Sequence, residues 1–362
     1  MNKILSILVC IFFAFSVQAQ SVNKTLKVAV CGVSHGHLGD LIARLDRGDV
    51  EVVGVWEANE KYRKNNGLLG RLSNEKFYSN LNDMLSSTKP EAVVAYGSIL
   101  DHMKIIEACA PLGIHVMVEK PLATTYKQAL RIKKLSKKYG IKIMVNFETT
   151  WYATNHYAKQ LSDSGRLGKI RRINIYDGHQ GPKEIGCSDM FLSWLTDPIE
   201  NGGGAVVDFG CYGANLATWY MHGQKPLSVF AVLQHNKPDV YPKVDDDATI
   251  ILEYPGTTVQ IMASWCWPYS RKDMYVYGDN GYIYQRNGKK IKTAYNGIEG
   301  NEFEAPDLTK PFDDSYRYLK ALVRNEINPK PEDLSSLENN VTVVQILEAA
   351  IKSSKTGKAV KL

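Results

Sequence analysis

The sequence has 362 residues, too many for one ordinary core and enough for two. Apolar residues make up 44% and charged residues 23%, the proportions of an ordinary globular protein. The net charge of +6 is spread along the chain, and no basic stripe is interleaved with aromatics, which excludes nucleic-acid binding as its meaning.

Lys3 and the apolar run 4–17, ending in Val17-Gln18-Ala19, predict a secretory signal peptide over residues 1–19, and hence an exported, periplasmic protein. The run is shorter than the ~20 residues of a membrane span, so no stable membrane insertion is expected after cleavage. Cys10 lies inside that run and is not read as a lipoprotein cysteine. Of the five later cysteines, Cys31, Cys109 and Cys211 read as small core residues. A disulfide through Cys187 or Cys266 is left open.

From Leu26 the pattern alternates short apolar strands with helices. Strands are predicted at 26–31, 50–56, 92–96, 114–118 and 141–145. Helices are predicted from Leu38, Leu41, Ile42 and Leu45, over 102–112, and over 125–139. Strands of this kind form a parallel sheet covered on both faces. After residue 146 the rhythm changes. Helices at 152–164 and 205–221 accompany strands at 170–176, 229–233, 248–252, 258–265, 274–277 and 282–284, with turns at Tyr254-Pro255-Gly256 and Asp279-Asn280-Gly281. Two helices, 313–324 and 337–354, close the chain. The expected fold class is α/β plus α+β: a Rossmann doubly wound parallel sheet over 26–146, then an α+β domain over 147–362 on a mostly antiparallel open sheet. The last helix is expected to pack back toward the first domain.

The turn Cys31-Gly32-Val33-Ser34-His35-Gly36-His37 follows the first strand. It reads as a degraded GxGxxG, with Ser34 at the second glycine and His37 at the third, where backbone approaches a pyrophosphate. Glu57, after the second strand, suits ribose hydroxyls and repels a 2′-phosphate, favouring NAD over NADP, although Lys61 and Arg63 keep NADP open. His35-Gly36-His37 is also an HxH, but none of His102, His115, His156, His179, His222 and His235 completes a ligand set by spacing, so no metal is expected. A buried strand ends in Glu119-Lys120-Pro121. Ligands bind beyond strand carboxyl ends, so Lys120 should enter the crevice. Its pKa is expected to fall there, making it a base.

Through 92–102, with its closing His102, and 113–123, the chain resembles the glucose–fructose oxidoreductase / inositol dehydrogenase / MocA (Gfo/Idh/MocA) family, from residue 26 to the C-terminus. The resemblance implies a catalytic or substrate-orienting Lys120, a cis bond before Pro121, and cofactor contacts from Gly97 and Ser98, which replace the family's Thr-Pro, and from His102. A second block, 202–215, is similar to the family's GGGxxxDxGxHxxD. It places Asp208, Tyr212 and Asn215 on one helical face, with Tyr212 where many members have histidine. The run Asn146-Phe147-Glu148-Thr149-Thr150-Trp151 lacks the family's two arginines, which argues against a strongly anionic substrate and offers Asn146, Glu148 and Trp151 to a sugar. His179 is a further lining candidate, and Trp265 of Ser264-Trp265 is expected in the core.

The resulting expectation is an exported oxidoreductase moving a hydride between NAD(P), chiefly NAD and tightly held, and a carbohydrate alcohol or ketone. Lys120 is the acid/base group, Tyr212 the proton relay and Asp208 a hydroxyl ligand. Cofactor contacts are expected from Gly32, Ser34, His35, Gly36, His37, Glu57, Gly97, Ser98, His102, Glu119, Lys120 and Pro121. Substrate contacts are expected from Asn146, Glu148, Trp151, His179 and Asn215. A homo-oligomer is expected through the second-domain sheet. The alternatives are glycoside cleavage with transient redox cycling of bound NAD, and a non-catalytic dinucleotide or sugar sensor.

Overall fold

Six strands, each short and nearly all apolar, build the first sheet: β1 (Leu26–Cys31), β2 (Val50–Trp56), β3 (Phe77–Tyr78), β4 (Ala92–Ala95), β5 (His115–Glu119) and β6 (Ile143–Asn146). They are joined by α1 (Leu38–Leu45), α2 (Glu60–Arg63), α3 (Leu81–Thr88), α4 (Asp101–Cys109) and α5 (Tyr126–Tyr139). This computed structural model describes residues 25–362. The leader expected over 1–19, with Cys10, lies outside the described residues. All pairings in the first sheet are parallel, in the order β3-β2-β1-β4-β5-β6. Strand alternation sends side chains to both faces. Leu26, Val28 and Val30 of β1 join one core cluster, and Ala29 and Cys31 join the other. The order reverses between β1 and β4, which is where such sheets open a crevice.

The second half contains α6 (Ala153–Asp163), β7 (Ile170–Gly178), α7 (Asp189–Leu195), α8 (Ala205–Asp208), α9 (Gly210–Tyr220), β8 (Ser228–Gln234), β9 (Asp247–Tyr254), β10 (Thr257–Ser264), β11 (Arg271–Gly278), β12 (Gly281–Gln285), β13 (Lys290–Tyr295), β14 (Ile298–Glu299), β15 (Phe303–Glu304), α10 (Ser315–Val323), α11 (Leu337–Thr356) and β16 (Val360–Lys361). Its sheet runs β14-β13-β12-β11-β7-β10-β9-β8-β16, with β15 beside β13. Every pairing is antiparallel except β7 with β10. Every residue of α9 is buried, as an all-round apolar helix must be.

Two helices of the second half return to the first. α11 packs on β8 and α9 but also on α5 and β6. α10 does so more deeply. Tyr316, Leu319 and Leu322 join the core cluster of β1, β2 and β4, the Tyr316 and Tyr96 hydroxyls lie 2.5 Å apart, and Asp314 accepts from Arg44 at 2.6 Å. Both closing helices therefore bridge the two halves. No helix among the described residues is long and apolar enough to cross a membrane. All five cysteines from Cys31 to Cys266 are free thiols, so neither Cys187 nor Cys266 forms a disulfide here.

Candidate active site

The glycine turn lies against the end of β4. Gly32 has φ +78°, and a Cβ there would come within 2.5 Å of the Gly97 nitrogen, so this pair of loops closes only with glycine. The Ser34 and His35 amides both donate to the Tyr96 carbonyl, at 3.0 and 2.9 Å. Ser98, buried beside them, donates to Asp101 at 3.4 Å. Glu57 accepts from the Val33 amide at 3.3 Å and the Asn59 amide at 2.8 Å, so it fixes the turn as well as standing at the end of β2. Gly36 is open, with nothing within 4 Å of where a Cβ would be. A tight turn with one open glycine at the start of α1 fits the pyrophosphate of a dinucleotide. α7 lies across this turn: the Trp194 indole donates to Ser34 Oγ at 3.0 Å, and the His35 ring packs on Phe191 and Trp194 at 5.0 and 5.5 Å.

Beside the turn opens a cavity of about 850 Å³, lined from both halves by His35, Gly36, His37, Lys120, Glu148, His179, Asp208, Tyr212 and Lys272, among others. Lys120 comes from the end of β5, before a cis Pro121. Its ammonium donates to Asp208 Oδ1 at 2.5 Å and to the Asp208 carbonyl at 3.1 Å. Trp265, fully buried, donates its indole N–H to the other carboxylate oxygen at 3.0 Å. Burial pulls the lysine pKa down, but Asp208 outweighs it and holds the ammonium above its ordinary range. The carboxylate expected to bind substrate hydroxyls is thus held by the lysine and by Trp265.

Asp208 reaches Lys120 because three glycines and one carboxylate set α8. A Cβ on Gly204 would stand 1.8 Å from the Asp245 carbonyl oxygen. The Asp245 carboxylate accepts from the amides of Gly204 and Val206 at 2.9 and 2.7 Å, capping the helix start. The helix then breaks at Phe209, with α9 beginning at Gly210. Asp208 and Tyr212 still meet at the cavity. Asn215 does not: fully buried, it donates to the Leu334 carbonyl at 2.8 Å and to Asn339 at 3.0 Å, holding α11, which corrects its expected substrate contact. The Tyr212 ring lies 5.1 Å from the Lys120 ammonium and 4.4 Å from that of Lys272. Burial pushes its hydroxyl pKa up, so the phenol stays protonated.

A second pair faces the cavity from the first half alone. His37 Nδ1 and Glu119 Oε2 are 2.8 Å apart. Glu119 Oε1 accepts from Asn146 at 2.9 Å, and Asn146 accepts from the Trp151 indole at 3.0 Å. His35 Nδ1 accepts from the His37 amide at 3.1 Å. The donor atoms of His35, His37 and Glu119 lie within 4.8 Å of one another, a grouping that sequence spacing missed because Glu119 arrives on a different strand. The 2.8 Å contact is that of a hydrogen bond. Two ligands of one tetrahedral ion stand farther apart, about 3.4 Å for bonds near 2.1 Å.

Other candidates divide. Glu148 lines the cavity, where it pairs with Lys272 and accepts from the Tyr152 hydroxyl at 2.5 Å. His179 lines it too, its ring edge-on to Phe209 at 4.8 Å. Asn146 and Trp151 stand behind Glu119 rather than in the lining, and Trp151 packs on Tyr318 at 5.6 Å. His102 is fully buried beneath the Glu-Lys-Pro loop, 3.2 Å from the Leu122 carbonyl and outside the lining; it supports the loop rather than touching a ligand in the cavity. Sequence reasoning missed Lys272, Tyr152 and Trp194. Lys272 sits in the alternation of an ordinary strand, so no local signal marks it.

Residues 26–147 match the profile of the oxidoreductase family with an NAD-binding Rossmann fold (GFO_IDH_MocA), and residues 155–284 match the GFO/IDH/MocA C-terminal domain. Among curated relatives, a trans-1,2-dihydrobenzene-1,2-diol dehydrogenase from Xenopus laevis is 26% identical over 58% of this chain, which spans 60% of that protein's length. A myo-inositol 2-dehydrogenase from Thermotoga maritima is 23% identical over 81% of this chain and 86% of its own. Among solved structures, aldose-aldose oxidoreductase from Caulobacter crescentus, complexed with glycerol, has a TM-score of 0.78 at 21% identity, covering 94% of this chain and 100% of its own. An inositol dehydrogenase homolog from Azotobacter vinelandii, complexed with NAD+, has a TM-score of 0.78 at 15% identity, covering 94% and 98%.

Proposed function

The chain belongs to the Gfo/Idh/MocA family of oxidoreductases, and from that premise we propose that it transfers a hydride between bound NAD(P) and a carbinol carbon of a carbohydrate. The observation that carries this reading is the meeting of Lys120, from the first sheet, with Asp208 and Tyr212, from the second half, in one cavity beside the glycine turn. Bound dinucleotide supplies the hydride acceptor or donor. The turn from Gly32 to His37, with Gly97 and Ser98, holds its phosphates, and Glu57 favours NAD over NADP. Lys120, kept charged by Asp208, and the protonated Tyr212 phenol orient and polarise the carbinol oxygen. Glu148, Lys272 and His179 offer hydrogen bonds to sugar hydroxyls; the 146–151 run lacks the family's two arginines, but Arg271 and Arg286 line the cavity from the second sheet.

The leader expected over 1–19 supports export to the periplasm, where free dinucleotide is scarce. The cofactor is accordingly held through turnover, reduced by one sugar and reoxidised by another substrate. A homo-oligomer through the open face of the second sheet is part of the same reading.

The test is mass spectrometry of small molecules released from protein purified without added cofactor, then anaerobic mixing with a sugar panel. Expected are co-purified NAD, rising nicotinamide absorbance and a keto-sugar or lactone. Aglycone release without net redox change favours the redox-cycling glycosidase instead. Binding without turnover favours the sensor.

A further inference from the structure

The cavity has two parts of different chemistry. Its floor is polar and deep: Lys120 and Asp208 are each 6% exposed and Tyr212 2%, and His179, Glu148 and Lys272 share the lining. Its lip is apolar. Pro182, Ile185 and Tyr269 belong to the same lining, but Ile185 is 48% and Tyr269 58% exposed, which puts these two at the mouth. Large apolar side chains left open beside a cavity are covered when a ligand fills it.

The lip is held in place. Ile185 rides on the turn 181–187, where the Ile185 and Cys187 amides donate to the Gly181 and Pro182 carbonyls, each at 3.0 Å. The buried Tyr241 hydroxyl accepts from the Lys183 amide at 3.1 Å and donates to Glu184. Lys237 grips the same Glu184 at 2.7 Å and the Trp265 carbonyl at 2.9 Å. Tyr269 comes from a second loop tied to the first: the Trp267 amide donates to the His179 carbonyl and the Gln180 side chain to the Pro268 carbonyl, both at 3.2 Å.

Charge narrows what the cavity takes. Every lysine and arginine in its lining already has a carboxylate: Lys120 has Asp208, Lys272 has Glu148, Arg286 has Glu302 at 2.8 Å, and Arg271 holds both oxygens of Asp273 at 2.6 and 2.7 Å. Paired charges set donors beside acceptors, which suits hydroxyls, and leave no uncompensated cation for a phosphate or a uronate. The volume of about 850 Å³ lies high in the ~300–1,000 Å³ range of sites for drug-sized ligands, more than a lone monosaccharide fills.

We propose that the lip is an aglycone subsite: the substrate is a neutral glycoside whose sugar lies on the polar floor and whose aromatic aglycone lies on Ile185, Pro182 and the face of Tyr269. A flat, rigid group matches an aromatic face and costs little to order. The sugar's place on the floor rests on the hydride-transfer reading above, whereas the lip is tested by binding alone.

The experiment is isothermal titration of protein saturated with NADH, so that no oxidation accompanies binding. Methyl and phenyl glycosides of a panel of hexoses are compared in wild type, Tyr269→Ala, Tyr269→Phe and Ile185→Ser. For the preferred sugar, the phenyl glycoside should bind about tenfold or more tighter than the methyl one. Tyr269→Ala and Ile185→Ser should each cut that ratio by about threefold or more, and Tyr269→Phe should keep it. Phenyl glycosides that bind no better than methyl ones overturn the proposal. So does a ratio indifferent to both positions, or tighter binding by a hexuronate or a nucleotide sugar. A changed oligomeric state of Tyr269→Ala in sedimentation also overturns it, because the lip would then be an interface between copies. Nicotinamide reduction, measured in parallel with NAD, separates the two readings. Phenyl preference without reduction of NAD by any sugar sinks hydride transfer and upholds the subsite; reduction with equal affinities for both glycosides sinks the subsite alone.

Discussion

The Lys120–Asp208 pair joins the two halves of the molecule, whereas the His37–Glu119 pair lies wholly within the first, and the two treat a proton in opposite ways. In the inter-half pair both groups are buried, Trp265 takes the remaining carboxylate oxygen, and the ammonium has nowhere to lose its charge. In the other pair one end is buried and held by Asn146, but the imidazole remains partly exposed with its far nitrogen free. The same contact chemistry, a nitrogen on a carboxylate, therefore gives a fixed charge in one place and a titratable lone pair in the other. Burial of both partners makes the difference.

The largest expected effect comes from breaking the fixed charge. Lys120→Met should lower single-turnover oxidation by about 1000-fold, because it removes a donor aimed at the reacting oxygen. It should also cost about 3–5 kcal/mol of stability, since Asp208 is left charged and buried without its partner; denaturant unfolding reads this. Near-normal turnover would leave the cleft without its main feature. Next in size is His37→Ala, which leaves the buried Glu119 carboxylate without its imidazole partner and should cost about 1–3 kcal/mol in denaturant unfolding, less than Lys120→Met because His37 is the more exposed partner.

Tyr212→Phe should follow, at about tenfold, read by stopped-flow absorbance of single-turnover nicotinamide reduction. The smallest effect is expected for Glu119→Gln: Glu119 stabilises the protonated imidazole, so removing its charge should move the His37 titration to lower pH, which an NMR titration of the histidines reads.

Much of this was legible in the sequence because it is periodic or glycine-bound. β1 and β2 fall at their expected residues, since short apolar runs between turns have one comfortable place in a covered parallel sheet. The glycine turn and Gly204 were readable because only glycine tolerates what Gly97 presses against Gly32 and Asp245 against Gly204. Between residues 57 and 91, the two-residue β3 and the four-residue α2 are too short to show a period. α7 escaped for another reason, and so did the docking of α10 on the first sheet, although α10 itself falls within its expected 313–324. Trp194 and Tyr316 act through contacts with residues 160 and 220 positions away, which no local pattern encodes. The site divides the same way. Lys120, Asp208 and Tyr212 sit in motifs, but Asn215 is taken up by Leu334 and Asn339, more than 100 residues later, which the sequence pattern does not announce. The lysine's partner was not legible because it is a carboxylate 88 residues later.

The most direct measurement is single-turnover nicotinamide reduction by a sugar in wild type and Lys120→Met, each first shown to carry dinucleotide. The account predicts reduction in wild type and an about 1000-fold slower rate in the variant. Equal rates would contradict the meeting of the two halves over one reacting oxygen.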